Sequence, residues 1–113
     1  MKTEDTIIIA KEFAEDPGAR EIADGDNSAE KFYNTLLLPK FKRAIAEDYS
    51  ILIDLDGVFG YPSSFVSGSF GKLSLEYGSD KVLSHLKFKS DRRPIRIDKI
   101  VFEIKNPASQ KFQ

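Results

Sequence analysis

The 113-residue chain has no cysteine, no tryptophan, a single histidine and almost no surplus of charge, with 17 basic against 18 acidic residues. Without cysteine there is no thiol nucleophile, no cysteine-based zinc site and no iron–sulfur cluster. Cysteine-free composition also fits a reducing cytosol. With one histidine, a transition-metal site would need an all-carboxylate shell. A net charge of −1 gives no global field toward nucleic acid or an anionic membrane. The longest apolar runs, Ile7–Ala10, Leu36–Leu38 and Ile51–Ile53, are far short of the roughly 20 residues that span a bilayer. No signal-peptide core follows Met1, so a cytoplasmic protein without a membrane partner is expected.

What is present is the material of a core. Hydrophobic residues make up 41% and charged residues 31%, a globular balance, and nine phenylalanines and four tyrosines supply bulk. The length suits one domain over 1–113, with a core of about 5–105 and a loose C-terminal tail.

The pattern alternates between strand and helix. Thr6–Ala10 reads as a strand, and turn formers fill 16–28, with room for a short strand at Arg20–Ala23. A helix should start near Asn27 or Ser28, and Asn27 with Glu30 can form a capping box. Ala29, Phe32, Tyr33, Leu36 and Leu37 then follow the spacing of one helix face. Pro39 should kink or split this helix before it ends near Asp48.

Ser50–Leu55 is almost continuously apolar, as in a central parallel strand buried on both faces. A second helix should start near Ser63 and stop at Gly78, carrying Val66, Phe70, Leu73 and Tyr77 on one face. Leu86–Lys89 suits a short strand. Ile95–Ile104 is either a strand or a helix opened by Asp91 or Pro94. The alternation implies an α/β fold, a small sheet with helices packed on it, and such folds place their sites beyond the carboxyl ends of the strands. In this chain that is the segment Asp56–Ser64.

Two chemistries fit that segment. Asp54-Leu55-Asp56-Gly57-Val58 resembles the nucleophile motif of haloacid-dehalogenase-type phosphatases, in which paired aspartates bind Mg²⁺, attack phosphorus and shuttle a proton. That motif opens its own fold, whereas here it stands mid-chain, and the further acidic candidates Asp80, Asp91 and Asp98 are isolated. Asp56-Gly57 can equally make a turn through its own backbone. Next, Tyr61-Pro62-Ser63-Ser64-Phe65 puts two hydroxyls at a helix start. Ser63 there is either an N-cap, worth about 1 kcal/mol, or part of a phosphorylatable pair facing unpaired N–H groups.

The same segment resembles the STAS domain of anti-sigma-factor antagonists: an apolar strand, then Asp54–Val58, then Ser63-Ser64 opening a helix. Asp56 replaces a serine of that pattern, Pro62 an aspartate and Phe65 a glycine. The bacterial STAS-like domain family of unknown function is more similar. It is matched in order by Pro17-Gly18-Ala19-Arg20, Asn27-Ser28, Leu36–Pro39, Asp54–Val58, Ser63-Ser64-Phe65 and Phe70-Gly71, so the resemblance spans about residues 5–90.

It implies a mixed sheet carrying helices and a non-catalytic, protein-binding regulatory role beside a histidine-kinase-like ATPase. In the well-known members the second serine is phosphorylated, and it maps onto Ser64. The expected partner-binding residues are therefore Asp56, Gly57, Tyr61, Ser63, Ser64 and Phe65. Arg20 reads as an exposed charge, while its family position implies anchoring of its loop on Asp54 or Asp56 or contact with phosphate. No cofactor or metal is expected. The alternatives are the Mg²⁺-dependent phosphatase using Asp54 and Asp56, and a purely structural assembly domain.

His85 beside Leu83 and Leu86 reads as a partly buried residue rather than a ligand or base. Gly68 and Gly71 suit close packing of their helix or close approach of a partner. The basic cluster Lys87, Lys89, Arg92, Arg93 and Arg96 lacks interleaved aromatics, so it reads as a solvated face and nucleic acid is not expected.

Overall fold

A computed structural model describes residues 1–107. Three strands, β1 (Thr3–Ile8), β2 (Ser50–Asp54) and β3 (Leu86–Lys89), form one sheet in the order β1-β2-β3. Both pairings are parallel, so among the described residues no antiparallel strand mixes the sheet. Each crossover is helical. A single turn, α1 (Ile9–Glu12), and a long helix, α2 (residues 29–47), join β1 to β2. Helices α3 (residues 63–77) and α4 (Ser79–His85) join β2 to β3, and α5 (Ile95–Lys105) follows. The expected small α/β sheet with helices on it is what forms.

The register explains where the core lies. Ile7, Ile53 and Phe88 stand in one row, and Ile51 pairs with Leu86 beside it. This face is buried, with Ile7, Ile51 and Ile53 fully enclosed. The rows Thr6–Leu52–Lys87 and Ile8–Asp54–Lys89 face the other way and are exposed or half-buried. Successive strands are added in one direction, and right-handed crossovers then put both helical connections on the same face. The central parallel strand is therefore as expected, but its burial on both faces is not, since Leu52 keeps partial contact with solvent.

Ser28, not Asn27, caps α2: its Oγ accepts from the Lys31 N–H at 3.1 Å. Glu30 reaches back to the Ile22 N–H at 2.9 Å rather than closing a box with Asn27, and Asn27 instead bonds Asp16. The strand expected at Arg20–Ala23 is a single 3₁₀ turn, Ile22–Asp24. Pro39 does not split α2. Its missing N–H is absorbed by a π-helical turn, Tyr33–Leu37, between α-helical Ala29–Phe32 and Leu38–Glu47.

A second π turn, Ser67–Gly71, lies inside α3, where the two glycines give close packing. A Cβ on Gly68 would stand 2.9 Å from Ala29 Cβ, and one on Gly71 would stand 2.8 Å from Glu103 Oε2. Gly78 ends α3 at φ +89° as expected. Helix α4 was not anticipated, while β3 begins where expected and Ile95–Lys105 resolves as helix behind Pro94. The tail expected to be loose lies, from residue 108, outside the described residues.

The helices meet the sheet through aromatic rings. Phe32 lies 5.4 Å from Phe65 and 5.9 Å from Phe70, and Phe70 lies 5.7 Å from Phe88 on β3. Phe32, Phe65 and Phe70 are fully buried. Each phenylalanine withdraws on the order of 150–250 Å² from water, so the cluster contributes heavily to the stability of the core.

Candidate functional site

The carboxyl end of β2 leads into a loop that is tied down at every step. Asp54 Oδ1 accepts the Asp56 N–H at 3.0 Å, closing a tight turn. The Asp56 carboxylate then reaches across to the connection after β3. It accepts the Asp91 N–H at 3.0 Å, the Arg92 N–H at 3.1 Å and Lys89 Nζ at 3.2 Å. The two backbone donors, with Lys89 behind them, hold its carboxyl below the usual carboxylate range. Lys89 also contacts Asp91 at 2.9 Å and Asp54 at 3.9 Å, and these carboxylates raise its pKa. The ion pairs themselves are largely solvated, so the backbone bonds to Asp56 are the firmer part of the knot.

Arg96, the second residue of α5, holds the next stretch. Its guanidinium donates to the carbonyls of Val58 at 2.9 Å, Phe59 at 3.1 Å and Leu55 at 3.5 Å, and it lies 5.2 Å from the Tyr61 ring centre. Tyr61 donates its hydroxyl to the Leu55 carbonyl at 3.0 Å, and burial pushes its phenol pKa upward. The Phe59 N–H donates to Glu15 at 2.8 Å. Gly57 sits at φ +85°, where a side chain is strained, with Ala10 only 3.1 Å from where a Cβ would be. Despite this anchoring, the Phe59 side chain is 81% exposed.

The serine pair differs from its expected roles. Pro62, not Ser63, stands at the cap position, and its carbonyl takes the Phe65 and Val66 N–H groups. Ser63 is exposed and lines a small cleft with Tyr61, Val66, Lys99 and Glu103. Ser64 is half-buried, and its Oγ donates to the Gly18 carbonyl at 3.3 Å. The N–H groups of Ser63 and Ser64 are left at the open helix end.

Several expected contact residues serve the fold instead. Phe65 is fully buried between Phe13, Phe32 and Tyr61, so it cannot touch a partner. Asp56, Gly57 and Tyr61 are engaged in holding the loop. Arg20 does not reach Asp54 or Asp56. It lies at a separate cleft with Glu30, Ser67 and Lys72, its Cγ packed by Gly68. His85 is buried under Phe41, its ring nitrogen 3.0 Å from the Lys81 carbonyl, as a structural residue would be.

The basic cluster divides. Lys89 and Arg96 are committed to the rim, while Arg92 and Arg93 are exposed beside Phe59. Asp54 and Asp56 both turn toward Lys89. Among the described residues no group of three or more acidic, histidine or cysteine side chains is arranged to hold a metal ion.

Sequence reasoning missed Phe59 and the anchoring role of Arg96. The signal for Phe59 was available: in Val58-Phe59-Gly60-Tyr61-Pro62 it follows neither a strand nor a helix period, so no core position claims it. Arg96 left no comparable trace, because its acceptors are carbonyls whose placement only folding defines.

No helix of the described residues is long and apolar enough to cross a membrane. The chain has no match among curated proteins and none among solved structures. A family model described as the STAS-like domain of unknown function matches residues 28–96, from the Ser28 cap through the rim loop to Arg96. That span is more than half of the chain and contains β2, β3 and, of the loop's anchors, Asp56 and Arg96 but not Glu15, and the chain therefore belongs to the STAS-like domain family of unknown function.

Proposed function

We propose that this chain is a non-catalytic binding module that docks a partner protein on the loop 56–65, with Ser63 as the hydroxyl through which phosphorylation releases it. The observation that carries the reading is Phe59: an aromatic ring 81% exposed at the tip of a loop whose backbone is fixed by Arg96, Asp56 and Glu15. A rigid, exposed aromatic binds with little loss of conformational freedom, the property of an interface anchor.

Ser63 is preferred to Ser64 because it is open to solvent, whereas the Ser64 hydroxyl is bonded inward. A phosphate on Ser63 adds roughly two negative charges at a surface made for contact. The STAS resemblance suggests a histidine-kinase-like ATPase as the partner, and an ATP-dependent partner implies work in the cytoplasm.

The test begins with affinity purification of the tagged chain from its native cells. Binding of the purified partner is then measured. Phe59→Ser and Ser63→Asp should each weaken it by roughly tenfold or more, while Ile22→Ser, an exposed apolar change on the 3₁₀ turn, should leave it unchanged. A partner that binds all three variants with equal affinity overturns the reading.

A further inference from the structure

Two adjoining clefts at the carboxyl rim share Glu15, Asp56, Gly57 and Arg92, and so form one groove running from Ala10 to Phe59. The larger, of about 620 Å³, brings together the side chains of Arg92, Arg93 and Arg96. Its two carboxylates are Glu15 and Asp56, and Asp56 is already satisfied by Lys89 and two backbone donors. Among the described residues the charge of Arg96 meets neutral groups, three carbonyls and the Tyr61 ring. Among the described residues the guanidiniums of Arg92 and Arg93 make no hydrogen bond or ion pair. A positive wall thus stands beside Phe59 on a chain whose net charge is −1.

Resting on the binding-module reading, we propose that this groove receives an acidic segment of the partner protein, its carboxylates on Arg92 and Arg93 and an apolar side chain on Phe59. Each guanidinium offers a planar fork that matches a carboxylate in two parallel bonds. A continuous phosphate backbone fits less well, because Glu15, Asp54 and Asp91 punctuate the same rim with negative charge. Discrete carboxylates set around an apolar residue can place themselves between those repulsive points.

The test pans a display library of short random peptides on the immobilised, folded chain. Enriched peptides should carry an excess of Asp and Glu around an apolar residue. Their affinity should fall roughly tenfold to a hundredfold in Arg92→Ser/Arg93→Ser, and should weaken as salt is raised. Neither side chain holds the fold, so the double variant should melt as the wild type does.

Enriched peptides without acidic bias that still lose affinity in Phe59→Ser overturn the acidic partner while keeping the docking loop. Selected peptides that bind the double variant as tightly as the wild type overturn the proposal, as does a single-stranded oligonucleotide that competes equally well. Failure to enrich any peptide overturns both the proposal and the docking loop.

Discussion

The phenylalanine cluster beneath the sheet and the charged rim at its carboxyl end are held by opposite means, although one helix start belongs to both. Tyr61 and Phe65 lie 6.3 Å apart, ring to ring. Phe65 is fixed by burial among other rings, which is strong and indifferent to direction. Tyr61 is fixed by a hydrogen bond and a stacked guanidinium, which are weaker and strictly oriented. The cluster therefore supplies stability and the rim supplies shape. Within the rim, residues that shape the loop, such as Asp56 and Arg96, differ from those left free to act, such as Phe59, Ser63, Arg92 and Arg93.

The largest effect should come from the cluster. Phe70 is fully buried against Phe32 and Phe88. Phe70→Ala is expected to cost about 3–5 kcal/mol through lost burial and the cavity left behind. Urea denaturation measures this directly. Because that loss is a large share of a small domain's total stability, Phe70→Leu serves as the milder form and should lose less. A cost for Phe70→Ala no greater than that of a rim substitution would break the division of roles.

A rim substitution should cost less and change something else. Arg96→Ala removes donors to three carbonyls and the cover on Tyr61, for an expected loss of about 2 kcal/mol. Its signature is local: hydrogen exchange at the Phe59 N–H should rise far more than exchange in β2. Arg96→Lys should recover little, since an ammonium cannot present the guanidinium fork to separate carbonyls. Uniform acceleration of exchange across sheet and loop would mean that the rim carries global stability after all.

The two regions were also unequally legible in sequence. The central strand, the helix from Ser63 to Gly78, β3 and the location of the loop followed from apolar periodicity and turn residues, which act locally. The start of α2 was narrowed to Asn27 or Ser28, both competent caps, and only the turn bonded through Asp16 decides for Ser28. Phe65 was misassigned as a contact because motif position says nothing of which way a ring points, and helix phase turns it into the core. Arg20 is the exposed charge that was one of its two readings, and it does not anchor on Asp54 or Asp56 because its loop packs on α2 and α3 rather than on the rim. The roles of Asp56 and Arg96 were hidden for a third reason: both bond backbone atoms far away in sequence, and no spacing rule encodes such pairings.

The smallest and most specific test uses pH to ask whether charge, rather than shape alone, holds the rim. The folded-state pKa of Asp56 lies below its ordinary value of 3.8, chiefly because the Asp91 and Arg92 N–H groups bond its ionised form. A lowered carboxyl pKa contributes stability that is present above the unfolded value and is lost as pH falls through the folded one. Wild type should therefore lose this increment on acidification below about pH 4, whereas Asp56→Asn never has it. The stability difference between the two proteins should be largest near neutrality and shrink toward pH 2 to 3, read by urea denaturation at each pH. The alkaline side does not discriminate. There the raised pKa of Lys89 and the raised phenols of Tyr33 and Tyr61 all give stability that is present below their ordinary values and lost above them. A difference that stays constant from neutrality into acid would show that Asp56 holds the loop as a neutral acceptor, and the contrast between a charge-fixed rim and a burial-fixed core would fail at its central residue.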